Sequence, residues 1–297
     1  GYDRLLAGAR SGKFASMFSE FQFAGVAEHL AEEFGTQGLP ISLSTACASG
    51  ATAIQMGVEA IRRGETDSAL CVATDGSVHA EALIRFSLLS ALSTHNDPPG
   101  KASRPFSRDR NGFVMAEGAG AFVLESYQAA KARGAPILGV IRGCGERADD
   151  YHRTRTHPDG LPIIAAIRSA LADADCPPES IDYVNAHGTG TPENDKMEYL
   201  ALASVFGERV HHLPVSSSKS MIGHTLTAAG AIEAAISLMA ITHGMLPPTI
   251  NREMPDPEIK LDIVPDVGRK ASVRAVLSNS FGFGGQNACL VLSGEPA

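Results

Sequence analysis

Apolar positions recur with a helical period over five stretches, which predict helices at Ala24–Phe34, Ser49–Arg63, Ile163–Ala174, Asp195–Phe206 and Ala229–His243. Between them lie short runs rich in β-branched residues, which predict strands at Ile41–Thr45, Ala69–Thr74, Ala121–Glu125, Ile137–Gly143, Tyr183–Ala186, Val215–Ser217, Val273–Ser278 and Ala288–Leu292. Strands alternating with helices specify an α/β protein, a sheet covered by helices. Gly35, Gly64, Gly207 and Gly244 follow helical patterns where a left-handed cap is needed. One helix puts Ala51, Ile54, Val58 and Ile61 on a single stripe, and another does the same with Ile232, Ile236 and Met239, so both are core helices.

Each of those two helices follows a similar lead, Leu39-Pro40-Ile41-Ser42-Leu43-Ser44 in one case and Leu213-Pro214-Val215-Ser216-Ser217-Ser218 in the other. The match suggests an internal duplication, with halves at residues 1–135 and 136–297. A duplicated fold needs a longer first half than this one. At roughly thirty residues per βαβ unit, a lead on the order of a hundred residues is expected before residue 1.

Composition narrows the function class. The chain has 297 residues, 44% of them hydrophobic and 20% charged, enough to bury a large core. No uninterrupted apolar run reaches eighteen residues and the first residues lack a signal-peptide pattern, so neither a membrane nor export is expected. Cys47, Cys71, Cys144, Cys176 and Cys289 are odd in number and form no C-x-x-C pair, which reads as reduced thiols in a cytosol. A net charge of −8 provides no general field for nucleic acid. The cluster Lys101, Arg104, Arg108 and Arg110 is the one candidate positive patch, against its reading as an ordinary solvated loop.

The chemistry sits in four segments. Ser44-Thr45-Ala46-Cys47-Ala48-Ser49-Gly50 places a cysteine among small residues at a helix start, where unpaired N–H groups favour thiolate, lower its pKa and can hold an oxyanion. Asn185-Ala186-His187-Gly188-Thr189-Gly190-Thr191-Pro192 ends a strand at a histidine and continues in a loop slim enough for a long, thin ligand, although Thr191-Pro192 also fits a plain N-cap. Ser218-Lys219-Ser220-Met221-Ile222-Gly223-His224-Thr225 sets a lysine and a histidine before an apolar helix, and Lys219 there needs a partner such as Glu233. Asn279-Ser280-Phe281-Gly282-Phe283-Gly284-Gly285 is a flexible loop suited to a gate or a backbone donor.

These segments, in this order, resemble the β-ketoacyl-[acyl-carrier-protein] synthase family, and within it the type II elongating synthases. Leu92–Asp97, Ser103–Phe106 and Leu246–Asn251 are similar to the same family. The resemblance implies a thiolase-like, duplicated, five-layered αβαβα fold and decarboxylative Claisen condensation. It gives Cys47 the acyl group as a thioester, and His187 and His224 the malonyl decarboxylation, with Lys219 in support. Cys47 and Phe283 would supply oxyanion-hole N–H groups, Phe283 would gate the acyl pocket, and Thr154, Thr189 and Thr191 would guide a phosphopantetheine arm. It further implies acyl carrier protein as partner, malonyl and acyl thioesters as substrates, a homodimer, and no metal or redox cofactor.

The sequence departs from the family at Gln286, where threonine is usual, and at Ile84–Ser90, usually glycine-rich with an arginine at its end. Other readings are a thiolase-like transferase using coenzyme A, a non-catalytic chain-length partner, a polyketide ketosynthase, and a zinc site built from the thiolate and two histidines. The first would need a second catalytic cysteine near the final glycine loop, and Cys289 lies beyond it.

Overall fold

A computed structural model of the chain describes residues 2–12 and 22–295. The chain divides into two compact units, Gly1–Ser44 and Thr45–Ala297. The first contains helices α1 (Tyr2–Arg10) and α2 (Phe23–Phe34), the latter capped by Gly35 in the left-handed conformation, φ 61°. No residue of α2 is buried. The strand expected at Ile41–Thr45 does not form. Residues 41–44 have no ladder partner among the described residues, and Ile41 is 61% exposed; β-branched sequence becomes a strand only where a neighbour satisfies its backbone groups.

The second unit is layered. Its elements are α3 (Ser49–Arg62), β1 (Ser68–Asp75), α4 (Ala80–Leu88), β2 (Gly118–Glu125), α5 (Tyr127–Ala132), β3 (Val140–Ala148), α6 (Leu161–Asp173) and β4 (Tyr183–Asn185). They continue with α7 (Pro192–Phe206), β5 (Pro214–Ser216), α8 (Lys219–Ile222), α9 (Ala229–His243), β6 (Met245–Leu246), β7 (Asp262–Ile263), β8 (Arg269–Lys270), β9 (Ala275–Gly282) and β10 (Gln286–Ser293). A six-stranded sheet has the order β3-β10-β9-β4-β5-β7, antiparallel through β3, β10 and β9 and parallel from β9 to β7. β1 and β2 form an antiparallel pair in register Ser68 to Glu125.

Burial explains the stacking. Helix α6 lays Ile163, Ile164, Ile167 and Leu171 on one face of the large sheet, joined by Met197, Ala201 and Leu202 of α7. On the other face, Ala51, Ile54 and Val58 of α3 and Ala231, Ala234 and Leu238 of α9 pack between Leu290 and Leu292 of the large sheet and Cys71 and Ala73 of the small one. The order is therefore helix, sheet, helix, sheet, four consecutive layers of a thiolase-like fold. The stretch Leu226–His243 is apolar and long enough to cross a membrane, but it lies in this middle layer and carries the buried Glu233.

α3 and α9 meet at glycines. A Cβ on Gly50 would sit 2.4 Å from the Ala231 nitrogen, and one on Gly230 would sit 2.5 Å from the Ala51 nitrogen, so neither position can carry a side chain without forcing the helices apart. This reciprocal contact brings the loop before α3, with Cys47, next to the loop before α9, with His224.

The expected basic patch is mostly used up inside the protein. Lys101 pairs with Glu253 and Arg104 with Asp109, while Arg110 is buried against Asp256 and Asp195. Acids close in sequence or space neutralise the cluster, which leaves little field for a polyanion.

Candidate active site

The Cys47 loop is a tight elbow. Ala46 takes φ 48°, unusual for a residue with a Cβ, and is held there by Ala48 N–H to the Thr45 carbonyl (3.0 Å) and the Ser49 hydroxyl to the Ala46 carbonyl (2.7 Å). The strained turn throws Cys47 out ahead of α3. Gly282 lies so close that a Cβ there would come within 2.5 Å of the Thr45 carbonyl oxygen, and this approach lets the Phe283 N–H reach the Cys47 sulfur. The N–H of Cys47 itself points to the same atom.

Burial, however, raises the Cys47 thiol to about 11, against the lowering expected from its place at a helix start. The residue is 8% exposed, and the loss of water around a thiolate outweighs the favourable charge of Lys219 and the two N–H groups.

His187 lies just beyond the end of β4 and is buried. Its backbone N–H and that of Gly188 donate to the two oxygens of Glu198 at 2.9 and 2.8 Å, and Asn279 Nδ2 donates to the first at 3.0 Å. Glu198 was not singled out from sequence. The signal available was an acid sharing a helix face with Asp195, Ala201 and Leu202, where only a partnered charge can be buried. Burial raises its carboxyl to about 7 despite these donors.

Lys219, 1% exposed, pairs with Glu233 as expected and lies 3.4 Å from His187 Nδ1. Burial pushes Glu233 up to about 7, opposed by Lys219. His224 is braced by the segment before β2: its N–H donates to the Val114 carbonyl at 2.7 Å and its carbonyl accepts from Ala116 N–H at 2.9 Å. Its Nδ1 accepts the Leu226 N–H at 3.2 Å, and its ring packs edge-on against Phe113, 5.1 Å between centroids. The rings of His187 and His224 are 5.3 Å apart and nearly perpendicular.

Burial, then the charge of Lys219, holds both imidazoles well below their ordinary pKa, so both are neutral near pH 7. In a neutral imidazole whose Nδ1 accepts a hydrogen bond, Nε2 carries the proton. Nδ1 of His224 accepts from Leu226 and Nδ1 of His187 faces the Lys219 ammonium, so each ring keeps an Nε2–H donor.

A cavity of about 310 Å³ joins these groups. Cys47, His187, His224, Phe113 and Phe281 line its buried end, while Thr154, Arg153, Arg155, Glu193 and Leu89 line its exposed end, with Thr189, Thr191 and Phe283 also in the lining. Lys219 and Glu233 stand behind the histidines and do not line it. Thr189 and Thr191 share a hydrogen bond of 2.9 Å between their hydroxyls, and Thr191 also caps α7 through Asn194 N–H, so its helix-cap and cavity placements coexist. Phe283, half-buried, packs against the apolar cluster formed by Ala82, Ala91, Phe113, Met115 and Leu226. The Gly284 N–H donates to the Arg153 carbonyl at 2.7 Å, tying the glycine loop to the Thr154 loop. Cys289, the second-cysteine candidate, is fully buried within β10. Among the described residues no group of three His, Cys, Asp or Glu side chains is arranged to hold a metal.

Comparison with known proteins agrees with this arrangement. Residues 2–130 match the family described as "Beta-ketoacyl synthase, N-terminal domain", and residues 138–253 match "Beta-ketoacyl synthase, C-terminal domain". The chain is 43% identical over 277 residues to the tetracenomycin polyketide synthase ketoacyl synthase alpha subunit of Streptomyces glaucescens, covering 93% of this chain and 65% of that protein. It is equally 43% identical over 261 residues to 3-oxoacyl-[acyl-carrier-protein] synthase 2 of Coxiella burnetii, covering 88% of this chain and 63% of the relative. The chain thus spans slightly less than two thirds of the length of these relatives. Among solved structures, a type II polyketide ketosynthase in complex with its acyl-carrier protein superposes with a TM-score of 0.91 at 36% identity, covering 94% of this chain and 69% of that one. A β-ketoacyl synthase from Burkholderia phymatum gives 0.87 at 38% identity, covering 92% and 66%. An elbow cysteine, two neutral histidines and a glycine-loop donor around one cavity, carried on matching sequence and matching layers, make this chain a member of the β-ketoacyl synthase family.

Proposed function

We propose that the protein extends acyl chains by decarboxylative condensation, joining an acyl group held on Cys47 to a malonyl unit carried on the phosphopantetheine arm of an acyl carrier protein. The observation that carries this reading is the meeting of the elbow thiol and both imidazole rings, whose Nδ1 atoms are engaged elsewhere, in one cavity.

Cys47 attacks the acyl thioester, and its proton ends on the departing pantetheine sulfur, so the exchange needs no net proton uptake. The oxyanion of that step is held by the Cys47 and Phe283 N–H groups. The malonyl thioester then loses CO₂: the electrons of the broken C–C bond move into an enolate oxygen, which His187 and His224 stabilise through their Nε2–H groups. Neutral donors fixed by Lys219 and Leu226 serve this purpose without reorganising. The enolate carbon attacks the Cys47 thioester, and collapse returns the thiolate and releases 3-oxoacyl-carrier protein. Thr154, Thr189 and Thr191 guide the arm. The protein works in the cytosol as a homodimer and needs no metal or redox cofactor. Relatives at equal identity are a polyketide synthase ketoacyl synthase subunit and a 3-oxoacyl-[acyl-carrier-protein] synthase, and the same carbon–carbon bond is formed in either setting.

Replacing Cys47 by alanine is expected to abolish acyl loading and condensation while leaving malonyl decarboxylation measurable. Intact-protein mass spectrometry after incubation with acyl-carrier protein reads the first, and CO₂ release the second. Condensation that survives in Cys47→Ala would overturn the assignment.

A further inference from the structure

The exposed end of the cavity holds two arginines that the condensation chemistry does not use. Arg153 is exposed, and its guanidinium makes no ion pair or hydrogen bond among the described residues. Arg155, two residues on, pairs among the described residues with Glu193 alone, at 3.8 Å between Nε and a carboxylate oxygen, with the two side chains 67% and 46% exposed. Such a pair is worth little in water, so Arg155 is available to a better partner.

None of the other acids nearby pairs with either guanidinium among the described residues. Asp149 is buried and its carboxylate accepts the Tyr151 and His157 N–H groups, while Asp159 is paired with His157. Asp150 is exposed beside them. Two guanidinium groups without a strong partner among the described residues therefore stand on the rim of the cavity.

We infer that Arg153 and Arg155 form an anion site that takes the phosphate at the outer end of the phosphopantetheine arm. This rests on the proposed condensing function for the identity of the arm, and on the rim geometry for the contact. Guanidinium is the side chain best matched to phosphate, offering parallel donors to two oxygens. Thr154 stands between the two arginines in sequence and lines the same cavity, so one short segment would hold the phosphate while its hydroxyl faces the arm. Glu193 is the competitor: phosphate binding must draw Arg155 away from it.

The test compares pantetheine 4′-phosphate with pantetheine by titration calorimetry, using the full chain and its Arg153→Glu/Arg155→Glu and Glu193→Gln variants. The phosphate is expected to improve affinity on the order of tenfold in the unaltered protein. That gain should vanish in the double arginine variant, grow in Glu193→Gln, and shrink with added salt. Equal affinity for the two probes, or a gain that survives Arg153→Glu/Arg155→Glu, would overturn the inference. Acylation of Cys47 by an acyl N-acetylcysteamine thioester, which has no phosphate, separates the two claims. Its absence counts against condensation, whereas the phosphate gain is measured without any reaction. Malonyl-carrier protein and malonyl-coenzyme A, assayed side by side, then show which bearer loses more in KM when the arginines are reversed, and a loss with either supports the site.

Discussion

At the scale of single residues, the site sets thiol and imidazole protonation by burial first and by Lys219 second. Because the Cys47 thiol lies at about 11, the reactive thiolate is a small fraction at neutral pH and grows with rising pH until that value is passed. Alkylation of Cys47 by iodoacetamide should therefore accelerate about tenfold per pH unit between pH 7 and 10, with no plateau near pH 8.5 where an unhindered thiol would level off. Lys219 is the charge that favours thiolate, so Lys219→Met should move the whole profile to higher pH and lower the rate at every pH below it. Rates followed by peptide mass spectrometry give the answer; a profile unchanged by Lys219→Met would remove the lysine from the electrostatics of the thiol. Cys47, His187, Lys219 and His224 were all legible in the sequence, since each stands beside a small residue at the edge of an element. Glu198 and Arg153 were not: one acts through backbone N–H groups eleven residues away and the other at a rim that only the fold defines.

Elements were legible in proportion to how local their causes are. The five helices with sustained apolar period appear within three residues of their expected ends, and Gly35 and Gly244 take the left-handed caps their positions suggested. The short exposed helix α4 was not foreseen, because its apolar Leu83, Ile84 and Leu88 are exposed and mark no core stripe. Ile41–Ser44 has the composition of a strand but no neighbour to pair with among the described residues, a condition that no local pattern reveals. The similar lead sequences precede α3 and α9, two helices that touch at Gly50 and Gly230. Since helix backbones cannot separate there without moving Cys47 or His224, Gly50→Ala should cost about 1–3 kcal/mol of stability and slow Cys47 acylation as well. Urea midpoints and acyl loading measured on the same variant check both; full stability with a slowed reaction would mean that the glycine serves substrate approach and leaves helix spacing alone.

For the whole second unit, the middle helical layer decides how the layers hold together. α3 and α9 are sandwiched between the sheets, and one apolar cluster contains Cys71 of β1, Ala51 and Ile54 of α3, Ala234 and Leu238 of α9, and Leu290 of β10. No layer can leave without exposing the apolar faces of the next, so the sheets should lose structure together even though the sequence reads as two repeated halves. Cys71 and Cys289 report on this from opposite sides: both are buried, one in the small sheet and the other in the large one, and burial holds both thiols above their ordinary pKa. Pulse labelling along a urea series, with each cysteine quantified in its own peptide, should find the two thiols becoming reactive at the same denaturant concentration. The linkage runs through packed side chains in the shared layer, so Leu238→Ala, which opens a cavity at about 2–4 kcal/mol, should lower both midpoints equally. If Cys71 labelled well before Cys289, the halves would be separate folding units, and the alignment of Cys47 with the two histidines would depend on surface contact between them instead of a common core.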